Sequence, residues 1–215
     1  MKFSRENLLL YAVTDRSFVG RQTLFEQVED ALRGGVTMVQ LREKELGEDE
    51  FVAEAVKMKE LCHRFGVPLI INDSVEVAVK SGADGVHVGI TDSPVAKIRK
   101  RVGKDFIIGA TAKTKEQAIA AETAGADYLG VGAIFPSPTK KNVIRIDKRQ
   151  LKEICSAVAI PVVAIGGISE KNVHEIAGCG MCGIAVISGI FGGQCVLKAA
   201  ETLRMKALEA IGENL

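Results

Sequence analysis

Short apolar runs recur about every 20 to 30 residues along the chain, and each is followed by an amphipathic segment at helical spacing. The runs are Leu8–Thr14, Val36–Leu41, Pro68–Ile71, Gly85–Val88, Phe106–Gly109, Tyr128–Gly132, Pro161–Ile165 and Gly183–Ile187. Between them lie Leu24–Arg33, Glu48–Phe65, Val75–Ser81, Val95–Val102, Lys115–Ala124, Lys148–Val158 and Lys171–Gly178, with a final helix over about Cys195–Ala210. Strands that are apolar throughout, rather than alternating, are buried on both faces, as in a parallel sheet covered by helices. Gly34-Gly35, Gly66, Gly82, Gly103, Gly125, Ala159 and Gly178 fall where helices should end. Thr114 and Ser169 stand as hydroxyl caps at two helix starts, each with a side chain three residues on to complete a box.

Eight such units without a break in composition predict an α/β fold, a single (β/α)8 TIM barrel spanning residues 1–215 as one catalytic domain. A doubly wound open sheet competes, but it should carry Gly-x-Gly-x-x-Gly after its first strand. Thr14-Asp-Arg-Ser-Phe-Val-Gly20 does not.

Composition narrows the function classes. The 215 residues are 47% hydrophobic and 26% charged, which supports a sizeable core and argues against disorder. A net charge of +1 offers no general electrostatic grip on nucleic acid or an acidic membrane, so any phosphate recognition must be local. With no Trp and only Tyr11 and Tyr128, platforms for base stacking are scarce. Met1–Asn7 lacks the pattern of a signal peptide, and no apolar run has membrane-spanning length. The five cysteines are scattered and odd in number, which fits a reducing cytoplasm. Cys179-Gly-Met-Cys182 has redox or metal spacing, but no second pair or nearby histidine completes it, so a structural role is expected.

Active groups of such a barrel sit at the carboxyl ends of its strands. Gln40, Arg42 and Lys44 alternate there on strand 2, so one amide and two cations converge on one face. A plain surface patch with Glu43 and Glu45 is the competing reading. Asp73 and Asp92 follow strands 3 and 4; as hard oxygen ligands they suit Mg²⁺ shared with substrate phosphates, and each alone reads as a helix cap. Arg42, Lys44 and Lys140 would neutralise a diphosphate bridged by that metal. Gly166-Gly167 and Ser188-Gly189 let backbone N–H groups approach a second phosphate at strands 7 and 8. Two phosphorylated substrates follow, one losing diphosphate and one retaining its phosphate. No nucleophile or base is evident: His87 lies in an apolar strand as a packed, hydrogen-bonded residue, and His63 and His174 lie in helical patterns as solvated ones. The natural mechanism is electrostatically assisted loss of diphosphate, then capture of a carbocation.

Leu10–Asp15, Gln40–Lys44, Ile71–Asp73, Ala83–His87, Gly125–Tyr128, Phe135–Lys140 and Ala164–Ile168, in that order over nearly the whole chain, resemble the thiamine-phosphate synthase family. The resemblance implies an alkyl transferase that joins 4-amino-2-methyl-5-hydroxymethylpyrimidine diphosphate to 4-methyl-5-(2-phosphoethyl)thiazole, or its carboxylated tautomer, releasing diphosphate. It implies that Gln40, Leu41, Arg42, Glu43, Lys44, Asn72 and Lys140 hold the pyrimidine diphosphate, with Thr111 near the pyrimidine. Ser137, Pro138, Thr139, Gly167, Ile187 and Ser188 would meet the thiazole phosphate, and Asp73 and Asp92 would hold Mg²⁺. Arg42, Lys44, Lys140 and Thr111 would form the catalytic set. The implied mechanism is dissociative, through a pyrimidine-methyl cation attacked by the thiazole nitrogen. Departures from the family pattern are Gly89-Ile90 for Gly-Gln, Thr111 for Ser, Ala112-Lys113 for a small residue and His or Asn, Ser137 for Thr, and the stretch Asn142–Ile146.

Two further readings stay open on the residues: a thiazole tautomerase-like paralogue, and a non-catalytic phosphate-binding barrel. Arg42, Lys44, Asp73 and Asp92 speak against the first, and no appended output element speaks for the second. The expected partners are the two small-molecule substrates, with no nucleic acid and no membrane; a homo-oligomer is left open.

Overall fold

The computed structural model describes residues 3–136 and 144–212. Eight parallel strands close in sequence order into a barrel. They are β1 (Leu10–Val13), β2 (Met38–Leu41), β3 (Leu69–Asn72), β4 (Gly85–Val88), β5 (Ile107–Ala112), β6 (Tyr128–Gly132), β7 (Val162–Ile165) and β8 (Gly183–Val186). The helices are α1 (Leu24–Arg33), α2 (Glu48–Arg64), α3 (Val75–Ser81), α4 (Val95–Val102), α5 (Lys115–Thr123), α6 (Lys148–Cys155), α7 (Ser188–Phe191) and α8 (Val196–Ile211).

The pleat sorts each apolar strand into two layers. Tyr11, Val13, Met38, Ile70, Ile107, Tyr128, Val163 and Ala185 face into the barrel as one buried cluster. Their neighbours Leu10, Ala12, Val39, Leu41, Ile71, Val86, Ile108, Val131, Ala164 and Ile184 belong to the larger cluster that also takes in the helices. This double burial is why the strands read as apolar runs.

Helix starts follow local chemistry. Thr23 and Glu26 form a capping box at α1, Asp147 and Gln150 another at α6, and the Thr114 hydroxyl accepts from the Gln117 N–H at 3.2 Å. Gly35, with φ +92°, turns the chain off α1 so closely that an added Cβ would lie 2.7 Å from Arg204 Cδ.

Three elements differ from the sequence reading. The expected helix over Lys171–Gly178 is one 3₁₀ turn, Val173–Ile176, because glycines at 178 and 180 both take positive φ soon after it begins. Its expected hydroxyl cap runs the other way: the Ser169 N–H donates to Asn172 Oδ1 at 2.8 Å. The short helix α7 follows β8 directly and was not expected. Strand β5 runs on past Gly109 to Ala112, which puts Thr111 inside the ladder opposite Gly130. All five cysteines are free thiols, and Cys179 and Cys182 are buried among apolar side chains. Among the described residues, no helix is long and apolar enough to cross a membrane.

Candidate active site

Because β1 to β5 are consecutive parallel neighbours, their carboxyl ends form one continuous rim. Gln40 faces inward at the end of β2 and is only 4% exposed, and its Nε2 donates to Tyr11 Oη at 2.6 Å. Two residues further on, Arg42 is 8% exposed. Its backbone N–H donates to Thr14 Oγ1 at 2.9 Å, and Nη1 donates to Asp15 Oδ2 at 2.8 Å. Asp15 carried no role of its own in the sequence reading, although it lies two residues beyond the end of β1. Burial pushes its carboxyl upward, but hydrogen bonds from Ser17 and the charges of Arg42 and Lys44 outweigh that and hold it below its ordinary value. Lys44 is exposed and forms no ion pair with the described residues.

On this strand Glu43 pairs away from Arg42. Its Oε2 accepts from Arg16 Nε at 2.6 Å, and the same guanidinium binds Glu54. Glu43 therefore braces the loop after β2 against the loop after β1. Leu41 is wholly buried between barrel and helices, so its side chain is structural.

Asn72 ends β3, and its Nδ2 donates to Asp73 Oδ2 at 2.6 Å. Asp73 has a φ of 61°, the left-handed region, and its N–H donates to the His87 carbonyl at 2.8 Å. No other non-glycine among the described residues has a positive φ. Across the gap to β4, Asp92 Oδ2 accepts from the Gly89 N–H at 2.6 Å. Neither aspartate caps a helix: Ser74 caps α3, and Pro94 stands at the start of α4. Both carboxylates are exposed on the rim, on neighbouring strand ends. Two carboxylates fit Mg²⁺, which keeps several waters and phosphate oxygens as its other ligands. Among the described residues, no set of three protein donors is assembled. Ile90, in the loop that runs from β4 to Asp92, is 49% exposed.

Thr111 is half-buried, and its Oγ1 lies 3.1 Å from His87 Nε2. His87 is the packed, hydrogen-bonded residue expected, with Nδ1 3.0 Å from Tyr128 Oη. His63 is bound rather than merely solvated, 2.8 Å from Asp84 Oδ2. The tyrosines that complete this inner layer carried no role in the sequence reading. The available signal was their inward phase on β1 and β6.

On the opposite side, a small cavity lies between the ends of β7 and β8, lined by Gly166, Gly167, Ile168, Ile187 and Ser188 among others. Gly167 has φ +66°, and an added Cβ would sit 2.3 Å from the Pro136 carbonyl oxygen. The glycine is therefore required first by the loop after β6, which packs onto it. Ser137, Pro138, Thr139 and Lys140 lie outside the described residues, as do residues 141–143.

Residues 10–190 match the family model described as thiamine monophosphate synthase. The chain is 45% identical over 194 residues to a thiamine-phosphate synthase of Clostridium acetobutylicum, covering 90% of this chain and 92% of the relative. It is 47% identical over 194 residues to one of Clostridium tetani, covering 90% and 93%. A solved thiamine phosphate pyrophosphorylase from Pyrococcus furiosus superposes with a TM-score of 0.88 at 38% identity, covering 97% of this chain and 99% of that one.

Proposed function

This chain belongs to the thiamine monophosphate synthase family and is a transferase with thiamine-phosphate synthase activity, and from that premise we propose how its residues divide the work. The pyrimidine diphosphate lies over the β2–β5 side of the rim. Gln40, Asn72 and Thr111 bound its ring, while Arg42, Lys44 and Lys140 receive its diphosphate. The thiazole phosphate lies over β7 and β8, with Ser137, Pro138, Thr139, Gly167, Ile187 and Ser188 around its phosphate.

The observation that carries this reading is the shared rim. Arg42 is held by Asp15, Asp73 is hydrogen-bonded across to β4, and Asp92 is fixed by Gly89, all on adjacent strand ends. Cations and carboxylates brought together in this way suit one bridged diphosphate. Asp73 and Asp92 would hold Mg²⁺, which when bound supplies charge neutralisation at the departing diphosphate.

The reaction breaks the bond between the pyrimidine methylene carbon and the diphosphate oxygen, and the electron pair leaves with diphosphate. Arg42 and Lys44 stabilise that developing charge in place of water. The thiazole nitrogen lone pair then forms the new C–N bond, a step that calls for no general base. The five free thiols further support placing the protein in a reducing cytoplasm, working as one catalytic domain of 1–215. Incubation with both phosphorylated precursors and Mg²⁺ tests the proposal. Thiamine phosphate and diphosphate should form in equal amounts; diphosphate release alone, or neither product, would count against it.

A further inference from the structure

Five polar side chains from five strands are linked across the barrel just beneath the rim. Gln40 Nε2 meets Tyr11 Oη at 2.6 Å, Tyr11 Oη meets Tyr128 Oη at 2.8 Å, Tyr128 Oη meets His87 Nδ1 at 3.0 Å, and His87 Nε2 meets Thr111 Oγ1 at 3.1 Å. The layer is built for these groups. A Cβ at Gly109 would lie 2.1 Å from the Tyr128 ring and 2.5 Å from His87 Nδ1, and one at Gly130 would lie 2.9 Å from the imidazole. Both tyrosines are wholly buried, and burial pushes both phenols up, so each keeps its proton.

From this we infer that Tyr11, Tyr128 and His87 are positioning residues forming a one-way hydrogen-bond relay, which sets Gln40 as an acceptor and Thr111 as a donor toward the pyrimidine. The direction follows from counting protons. An amide nitrogen only donates, so Tyr11 Oη accepts from Gln40 and spends its single proton on Tyr128. Tyr128 has then accepted once, and its own proton goes to His87 Nδ1. The neutral imidazole therefore carries hydrogen on Nε2 and donates it to Thr111 Oγ1. Thr111 keeps its hydroxyl proton for a ligand. At the other end, Gln40 Oε1 has no hydrogen-bond partner among the described residues and is not sealed from solvent.

The floor thus shows a carbonyl oxygen on the β2 side and a hydroxyl proton on the β5 side. An aminopyrimidine answers with an amino donor and a ring-nitrogen acceptor. An oxo-pyrimidine of the same shape presents the opposite polarity and leaves buried polar groups unpaired. Reversing the relay would require the Gln40 amide to rotate, which would turn its nitrogen instead of its oxygen toward the pyrimidine. The inference rests on the pyrimidine lying over this floor, as proposed above.

The test begins with ¹⁵N NMR of His87 in the substrate-free protein, which reads the tautomer without relying on activity. Hydrogen on Nε2 is expected; hydrogen on Nδ1, or an imidazolium at neutral pH, overturns the relay. In Tyr128→Phe the tautomers should mix and KM for the aminopyrimidine diphosphate should rise about tenfold, with KM for the thiazole phosphate unchanged. In Tyr11→Phe, which serves equally if Tyr128→Phe does not fold, Tyr128 loses the donor that sets its direction, so the His87 tautomers should again mix and preference for the amino over the oxo substrate should fall. Unchanged tautomer and unchanged preference in both variants overturn the relay. If the tautomer is as expected but only the thiazole phosphate KM moves, the assignment of the pyrimidine to this floor fails and the hydrogen-bond order stands.

Discussion

Asp15 anchors Arg42: the carboxylate at the end of β1 accepts from the guanidinium at the end of β2 at 2.8 Å, and both side chains are largely withdrawn from solvent. One face of the guanidinium is thereby fixed, and a cation that is otherwise long and mobile becomes a preset receptor for phosphate oxygens. Arg42→Ala should weaken the pyrimidine diphosphate by about 2 kcal/mol, the scale of a charge-assisted hydrogen bond. Asp15→Ala should act differently. It adds net positive charge, so KM should change little while kcat falls about tenfold through lost orientation. Steady-state kinetics separates these effects, and a raised KM with normal kcat in Asp15→Ala would remove the positioning role.

Asp73 and Asp92 are exposed and cap no helix. Asp92→Ala should leave the thermal midpoint nearly unchanged, while Asp73→Ala should lower it modestly, because alanine tolerates the left-handed φ of 61° less well than aspartate. Mg²⁺-dependent diphosphate release should be lost in both variants. Full activity in either variant with EDTA present would end the metal assignment.

Glu43 should give the stability curve a falling limb. Burial raises its carboxyl above the ordinary value of 4.5; the hydrogen bond from Arg16 opposes this, and the neighbouring Glu54 adds to it. One oxygen of each glutamate is buried without a hydrogen-bond partner. The folded state then holds its proton more tightly than the unfolded state. Stability attributable to Glu43 is full below pH 4.5 and is lost as pH rises through the folded value. Asp15 has the opposite sign, because its depressed value contributes stability above 3.8 that is lost as pH falls. Urea titrations across this range should therefore show Glu43→Gln gaining on the parent protein as pH rises. A constant difference would exclude the raised Glu43 carboxyl.

Gly167→Ala should damage one half of the site selectively. The residue has φ +66°, and the new methyl would press on the carbonyl oxygens of Pro136 and Phe135 at 2.3 and 2.6 Å. Such strain costs about 1–3 kcal/mol. KM for the thiazole phosphate should rise more than KM for the pyrimidine diphosphate. Equal effects on both would place the two subsites closer together than proposed.

Much of this protein is written in local sequence. Strands apolar on both faces, separated by amphipathic segments of helical length, specify a parallel sheet covered by helices, and eight such units without a Gly-x-Gly-x-x-Gly after the first strand favour the closed barrel over the open sheet. The period of two along β2 places Gln40 at the barrel's end with Arg42 and Lys44 beyond it, and glycines mark helix ends because few other residues take the left-handed turn. Partnership was decided only by closure of the barrel. Asp15 meets Arg42 across 27 residues and Tyr11 meets Tyr128 across 117 residues, and nothing in the spacing of either pair encodes a hydrogen bond. Short-range pattern records which face a side chain takes. Which group it meets there depends on strand register and on the space that Gly109 and Gly130 leave open inside the barrel.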